Sequence, residues 1–112
     1  MQHDDAVYLG HMLDAARKAA ALVQGKRRSD FDKEEPIRLA LAHLIQIIGE
    51  AARRVSSDCQ QAHAKIPWKA IVSMRHKVVH DYMDLNEDVV WDTATTDLPK
   101  LVAQLEKIVP GT

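Results

Sequence analysis

The chain has 112 residues, of which 46% are hydrophobic and 28% charged, and its formal net charge is −1. This length suits one domain with one core, and the composition is that of a folded chain rather than a disordered one. The near-zero charge excludes the overall basic field that marks many nucleic-acid-binding domains. With one cysteine the chain cannot form an internal disulfide. No stretch approaches the roughly 18 apolar residues of a membrane span, and no signal peptide is recognisable, so we expect a cytoplasmic protein.

The first half of the chain predicts two helices. Apolar residues repeat at three- and four-residue steps from about residue 4 to residue 24, and Gly25 ends that helix. Residues 25–35, GKRRSDFDKEE, predict a polar connector with too few apolar residues to pack. Pro36 suits the first turn of a second helix that continues to Val55.

Gly49 lies inside the second predicted helix, where glycine costs roughly 1 kcal/mol relative to alanine. We therefore expect another backbone to approach closely there. Residues 56–67 predict a loop with about one helical turn, and a third helix begins at Pro67 and reaches Val79. No strand is predicted.

A fourth helix is predicted after Asn86, whose side chain can cap it. Asp97 and Pro99 together predict a kink or break near residues 96–98. The pattern favours an all-α antiparallel four-helix bundle. Trp68 and Trp91 lie off the main apolar stripes, and such surplus apolar surface suits a homodimer.

Polar chemistry concentrates in residues 74–82, MRHKVVHDY. At about 100° per residue on a continuous helix, Arg75 and His80 point about 140° apart, too far to hold one small ligand. Fraying near Asp81, or a second copy across a twofold axis, would bring the two groups together.

Three interpretations of this cluster remain open. It can be a solvated helix end. It can be half of a metal site, because His76, His80 and Asp84 follow i, i+4, i+8 spacing, although a fourth ligand is missing. It can also cleave phosphodiesters: arginine stabilises the charge of the transition state, and histidine moves a proton near neutral pH.

The spacing Arg75-x4-His80-x-Tyr82 resembles the signature of HEPN-domain proteins, specifically the HepT-like toxins. Three further stretches resemble the family's second, third and final helices: IQIIGEAARRVS at residues 45–56, IPWKAIVSMRHKVVHDY at 66–82 and NEDVVWDTATTDLPKL at 86–101. The resemblance spans most of the chain and implies a single HEPN domain over residues 1–112.

The resemblance implies a homodimeric endoribonuclease in which both protomers line one cleft. Arg75 is expected to hold the scissile phosphate, and His80 to move the proton of the 2′-hydroxyl or of the leaving group. His76 and Lys77 are expected to contact phosphate or RNA. The implied reaction needs no metal or cofactor and leaves a 2′,3′-cyclic phosphate.

The resemblance also implies a partner, an MntA-like nucleotidyltransferase antitoxin that silences the toxin by transferring AMP to Tyr82. The added charge and bulk would exclude RNA phosphate from the cleft. The alternative is a non-catalytic helical adaptor that binds the nucleotidyltransferase. Intact Arg75, His80 and Tyr82 favour the enzyme.

Overall fold

The computed structural model describes residues 3–81 and 84–109, without the side chains of residues 3, 80 and 81. This part of the chain is mostly helical, as predicted. Two short strands separate the fifth helix from the sixth, and a π-helical turn, Thr93–Asp97, joins the sixth to the seventh. The elements in chain order are α1 His3–Val23, α2 Arg28–Lys33, α3 Glu35–Arg54, α4 Ser57–Ala62, α5 Trp68–Lys77, β1 Val79–Asp81, β2 Asp84–Leu85, α6 Glu87–Asp92 and α7 Leu98–Glu106.

Helices α1 and α3 form the centre of the fold. Helix α1 packs against α3 and α7, and α3 also packs against α5. No helix in the described ranges is long and apolar enough to cross a membrane. The side chains with no exposed surface include Leu9, Met12, Ala16, Ala19, Phe31, Leu41, Ala52, Val78, Val90, Ala94 and Leu105.

The start of α1 is fixed to the end of α3 by a buried carboxylate. Asp5 is only 2% exposed. Its Oδ1 accepts a hydrogen bond from the backbone N–H of Ser56, and its Oδ2 accepts one from the Ser56 hydroxyl, both at 2.7 Å. The same hydroxyl accepts from the backbone N–H of Cys59 and caps α4. At its other end α1 stops two residues before Gly25, whose φ of 75° is the left-handed conformation that ends helices.

The connector after α1 packs, so the prediction that it does not was wrong. Residues Arg28–Lys33 form α2, and Phe31 in the middle of it is fully buried. Its ring lies 5.2 Å from the ring of Trp91. The guanidinium of Arg28 lies over the Phe31 ring, 5.5 Å from its centroid, and pairs with Asp88 at 2.8 Å. One aromatic side chain therefore anchors an otherwise polar segment.

Gly49 permits the close backbone approach that its position predicted. A Cβ built on Gly49 would lie 3.2 Å from the carbonyl oxygen of Ile71 and 3.6 Å from the Cβ of Arg75. The neighbour is α5 of the same chain. The contact therefore sets how α5 lies on α3.

Helix α5 ends at Lys77, two residues before the predicted end. The chain then turns into an antiparallel pair of strands, in which Val79 lies opposite Leu85. The prediction that the chain has no strand was wrong, because segments this short carry no alternating pattern. The predicted cap was correct: the Asn86 side chain accepts a hydrogen bond from the backbone N–H of Val89 at 3.3 Å.

The irregularity predicted near residues 96–98 is present as the π-helical turn Thr93–Asp97, directly before Leu98 and Pro99. Both tryptophans have partners within the chain. Trp68 is buried and its indole N–H donates to the carbonyl oxygen of His63 at 3.0 Å. The expectation that Trp68 adds exposed apolar surface was therefore wrong.

Candidate active site

The contact between α3 and α5 places Arg75 beside Glu50. Arg75 lies in the last turn of α5, and Glu50 follows Gly49 on α3. The Nη1 atom of Arg75 donates a hydrogen bond to Oε2 of Glu50 at 2.6 Å. The Arg75 side chain is 29% exposed and the Glu50 side chain 38%. The ion pair is thus half-buried, with one side open to solvent.

Glu50 also holds two arginines of its own helix. Its Oε1 lies 2.5 Å from Nη2 of Arg53 and 3.5 Å from Nη2 of Arg54. The hydrogen bond from Arg53, and then the charges of Arg53, Arg75 and Arg54, hold the pKa of Glu50 below its ordinary value. One carboxylate therefore joins three guanidinium groups into a cluster whose net charge is positive.

One donor of Arg75 lacks a hydrogen-bond partner. Its Nε is buried and has no partner among the described residues. A buried donor of this kind costs free energy until it meets an acceptor. Because this Nε is buried, it is a local cost in the folded chain rather than a contact point for a ligand.

Arg75 lines an open depression of about 500 Å³. His43 and His76, two of its other lining residues, are exposed at its edge. Because it is open and has the Arg75 guanidinium in its lining, the depression suits a strand of an anionic polymer better than an enclosed small molecule. The depression is lined by His43, Gln46, Ile47, Glu50, Arg75 and His76.

The structure places some of the predicted site residues together. Arg75 and His76 share the depression, whereas Lys77 is exposed at the end of α5 and does not line it. His80 lies on β1, beyond the end of the helix, so the 140° divergence expected on a continuous helix does not apply. The side chain of His80 lies outside the described part of the chain, and so does all of Tyr82.

The metal alternative involves His76, His80 and Asp84. Among the side chains that the structure describes, no group of three or more His, Cys, Asp or Glu residues is placed to hold a metal ion. Since the His80 side chain is not among them, the alternative itself is not tested.

Glu50, His43 and Gln46 were not identified as site residues from the sequence. In the structure all three line the depression. The sequence carried one signal near Glu50: Gly49, the residue before it, predicted a close approach by another backbone, but not which helix makes it.

The sequence model of the HepT-like ribonuclease family matches residues 12–108. The chain belongs to this family. The HepT-like match includes α3, α5 and both strands, and hence Glu50, Arg75 and the stretch that carries His80.

Individual HepT-like relatives agree with this assignment. The chain is 32% identical over 102 residues to the protein named Putative RNase TTE0752 from Caldanaerobacter subterraneus subsp. tengcongensis, covering 91% of each chain. It is 33% identical over 79 residues to the Probable ribonuclease HepT of Thermococcus cleftensis, covering 70% of this chain and 72% of that protein. It is 25% identical over 108 residues to Putative RNase MJ1216 of Methanocaldococcus jannaschii, covering 96% and 89%. No solved structure matches the chain.

Proposed function

We propose that this HepT-like chain is a metal-independent endoribonuclease and the toxin of a toxin–antitoxin pair. Membership in the HepT-like ribonuclease family and the names of the relatives support ribonuclease activity. The observation that carries the proposal is the half-exposed Arg75 guanidinium, which borders an open depression within a net-positive cluster. A permanently charged, planar group in such a place suits a phosphate oxygen.

In the proposed reaction Arg75 binds a non-bridging oxygen of the scissile phosphate and stabilises the charge that develops in the pentacoordinate transition state. His80 takes the proton of the 2′-hydroxyl, so that this oxygen attacks phosphorus. The proton then passes to the departing 5′-oxygen as its bond to phosphorus breaks. The products are a 2′,3′-cyclic phosphate and a 5′-hydroxyl. His76 and Lys77 hold neighbouring phosphates.

A homodimer completes this site in the proposal. Two chains, each an antiparallel bundle of its long helices, pool Arg75 and His80 in one cleft. The depression beside Arg75 is open on one side, which supports a second copy or RNA lying against it. Size-exclusion chromatography should then give about twice the chain mass of 12.6 kDa.

The proposed antitoxin is an MntA-like nucleotidyltransferase that acts on the same cytoplasmic protein by transferring AMP to Tyr82. Tyr82 lies seven residues after Arg75 in the sequence. In this scheme the added phosphate competes with RNA for the Arg75 guanidinium and repels the RNA backbone. Regulation and catalysis would therefore both depend on the guanidinium of Arg75.

Cleavage of a fluorescent RNA by the purified chain in excess EDTA tests the proposal. We expect the parent chain to release products that carry a 2′,3′-cyclic phosphate. Arg75→Ala and His80→Ala should each slow cleavage by about 100-fold or more. Arg17→Ala and His11→Ala are matched controls, because both residues lie on α1 and are exposed.

Two results would contradict the proposal. Cleavage that EDTA abolishes would exclude the metal-independent mechanism, and parental rates in Arg75→Ala or His80→Ala would remove those residues from the reaction. A parent chain that binds the nucleotidyltransferase but cuts no RNA would instead support the adaptor alternative.

A further inference from the structure

We propose that Glu50 is a positioning residue for RNA cleavage, holding the guanidinium of Arg75 in the orientation that the transition state requires. This inference rests on the proposed function. Glu50 does not itself touch the reacting atoms in this scheme, and it acts through Arg75.

The geometry of the ion pair supports this role. An arginine side chain has several rotatable bonds, and an exposed one samples many rotamers. The 2.6 Å hydrogen bond from Nη1 to Glu50 Oε2 fixes the far end of the Arg75 side chain. The close approach of α5 to Gly49 also fixes the position of the Arg75 backbone beside α3, since a Cβ on Gly49 would lie 3.6 Å from the Arg75 Cβ. Both the backbone of Arg75 and the far end of its side chain are therefore positioned by α3.

The carboxylate of Glu50 is itself held in place. While Oε2 accepts from Arg75, Oε1 accepts from Arg53 at 2.5 Å, so the two oxygens are held in different directions. The hydrogen bond from Arg53 and the surrounding charges lower the pKa of Glu50, so this carboxylate is ionised at neutral pH. A fixed anchor of this kind can orient Arg75, whereas a mobile surface carboxylate cannot.

Glu50 should help the reaction by orienting Arg75, but its negative charge should weaken the binding of RNA. A carboxylate beside a phosphate site repels RNA, so removing it should strengthen RNA binding. Removing the anchor should also let Arg75 leave the productive geometry, and a misplacement of about 1 Å can cost about 100-fold in rate. A positioning role therefore predicts a lower kcat together with an unchanged or lower KM. A counter-ion that only balances charge predicts a lower KM with kcat unchanged.

Steady-state cleavage of the same RNA by Glu50→Gln and Glu50→Ala separates these roles. We expect kcat to fall about 10-fold in Glu50→Gln, whose amide oxygen can still accept one hydrogen bond, and about 100-fold in Glu50→Ala. KM should not rise in either variant. Melting temperatures should stay within about 3 °C of the parent, because half-exposed ion pairs contribute little to stability. Glu106→Gln is the control: Glu106 pairs with Arg17 at 2.8 Å on helices that carry no candidate site residue.

A second measurement does not depend on RNA. In ¹⁵N-labelled protein, slow rotation of an anchored guanidinium gives resolved Nη signals, and a free one gives averaged signals. We expect resolved Arg75 signals in the parent, identified by their loss in Arg75→Lys, and averaged ones in Glu50→Ala. If the parent cuts no RNA, the proposed function fails while this measurement still tests the anchor. If the parent cuts RNA and Glu50→Ala keeps the parental kcat, or if the Arg75 signals are unchanged in Glu50→Ala, the inference is wrong.

Discussion

Gly49 and Ile71 hold the backbones of α3 and α5 in contact, with 3.2 Å between the Ile71 carbonyl oxygen and the position that a Cβ on Gly49 would occupy. This contact places the next residue of α3, Glu50, within hydrogen-bonding distance of Arg75. The candidate site therefore lies next to the close approach that glycine permits at residue 49.

Gly49→Ala should lower the free energy of unfolding by about 1 kcal/mol. Alanine favours the helix by about 1 kcal/mol, but its methyl group must displace the backbone of α5, and overpacking of this kind costs about 1–3 kcal/mol. Gly10→Ala is the matched control, since a Cβ at Gly10 meets nothing within 4 Å. That variant should gain about 0.5–1 kcal/mol. Urea denaturation measures the free energy of unfolding of both variants. An equal increase in the two would show that α5 shifts away from a methyl group at residue 49 without cost, which would contradict the prediction.

Phe31→Ala should lower the free energy of unfolding by about 3–5 kcal/mol, because the ring is fully buried and its loss leaves a cavity against Trp91. Leu39→Ala, at a residue that is 54% exposed, should cost less than about 1 kcal/mol. Chemical denaturation of the two variants side by side checks this. A small loss in Phe31→Ala would mean that α2 contributes little to the core.

The stability of the chain in acid should depend on Glu50. Its pKa is lowered in the folded state, first by the hydrogen bond from Arg53, while in the unfolded chain it returns to the ordinary value of 4.5. Its contribution is therefore complete above pH 4.5 and is lost as the pH falls through the lower folded-state pKa. Glu50→Gln should make the free energy of unfolding less dependent on pH below 4.5 than in the parent.

Asp30→Asn provides a comparison in the same pH range. The pKa of Asp30 is also lowered, chiefly by the backbone N–H of Arg27, which donates to it at 2.9 Å. Asp30→Asn should therefore also make the free energy of unfolding less dependent on pH in acid than in the parent. Denaturation series from pH 3 to pH 7 would show both effects, and a Glu50→Gln curve parallel to that of the parent would contradict the assigned shift.

Tyr82→Phe should leave RNA cleavage within about threefold of the parent, since the proposed chemistry uses Arg75 and His80, but it should remove the acceptor for AMP. Intact-mass spectrometry after co-expression with the proposed nucleotidyltransferase should show one or more AMP units on the parent and none on Tyr82→Phe. Tyr8→Phe, at a half-buried tyrosine of α1, should still be modified. AMP on Tyr82→Phe would place the acceptor elsewhere.

The long helices could be predicted from sequence because their apolar residues repeat with the helical period over many turns. Helix α2 could not, because Phe31 is a single apolar side chain among charged ones and its partner, Trp91, is distant in sequence. The strands were missed for a related reason: β1 and β2 are too short to show alternation.

Only some residues of the candidate site could be identified from the sequence. Arg75 and His76 could be identified because they lie close together in a polar cluster. Glu50 could not, because its pairing with Arg75 spans 25 residues and depends on how α3 and α5 pack. Gly49 predicted a close approach, but periodicity alone does not identify which helix makes it.

The buried side chain of Asp5 helps to define the register in which α1 packs against the rest of the fold. Its two hydrogen bonds to Ser56 join positions 51 residues apart. Apolar helix faces rich in alanine and leucine can slide by a turn at modest cost, but a shifted α1 would leave the buried side chain of Asp5 without its two donors on Ser56. The pair therefore penalises misregistered dockings more than it strengthens the native one. It also fixes the C-terminal end of α3, the end that carries Glu50, because Ser56 lies six residues after Glu50.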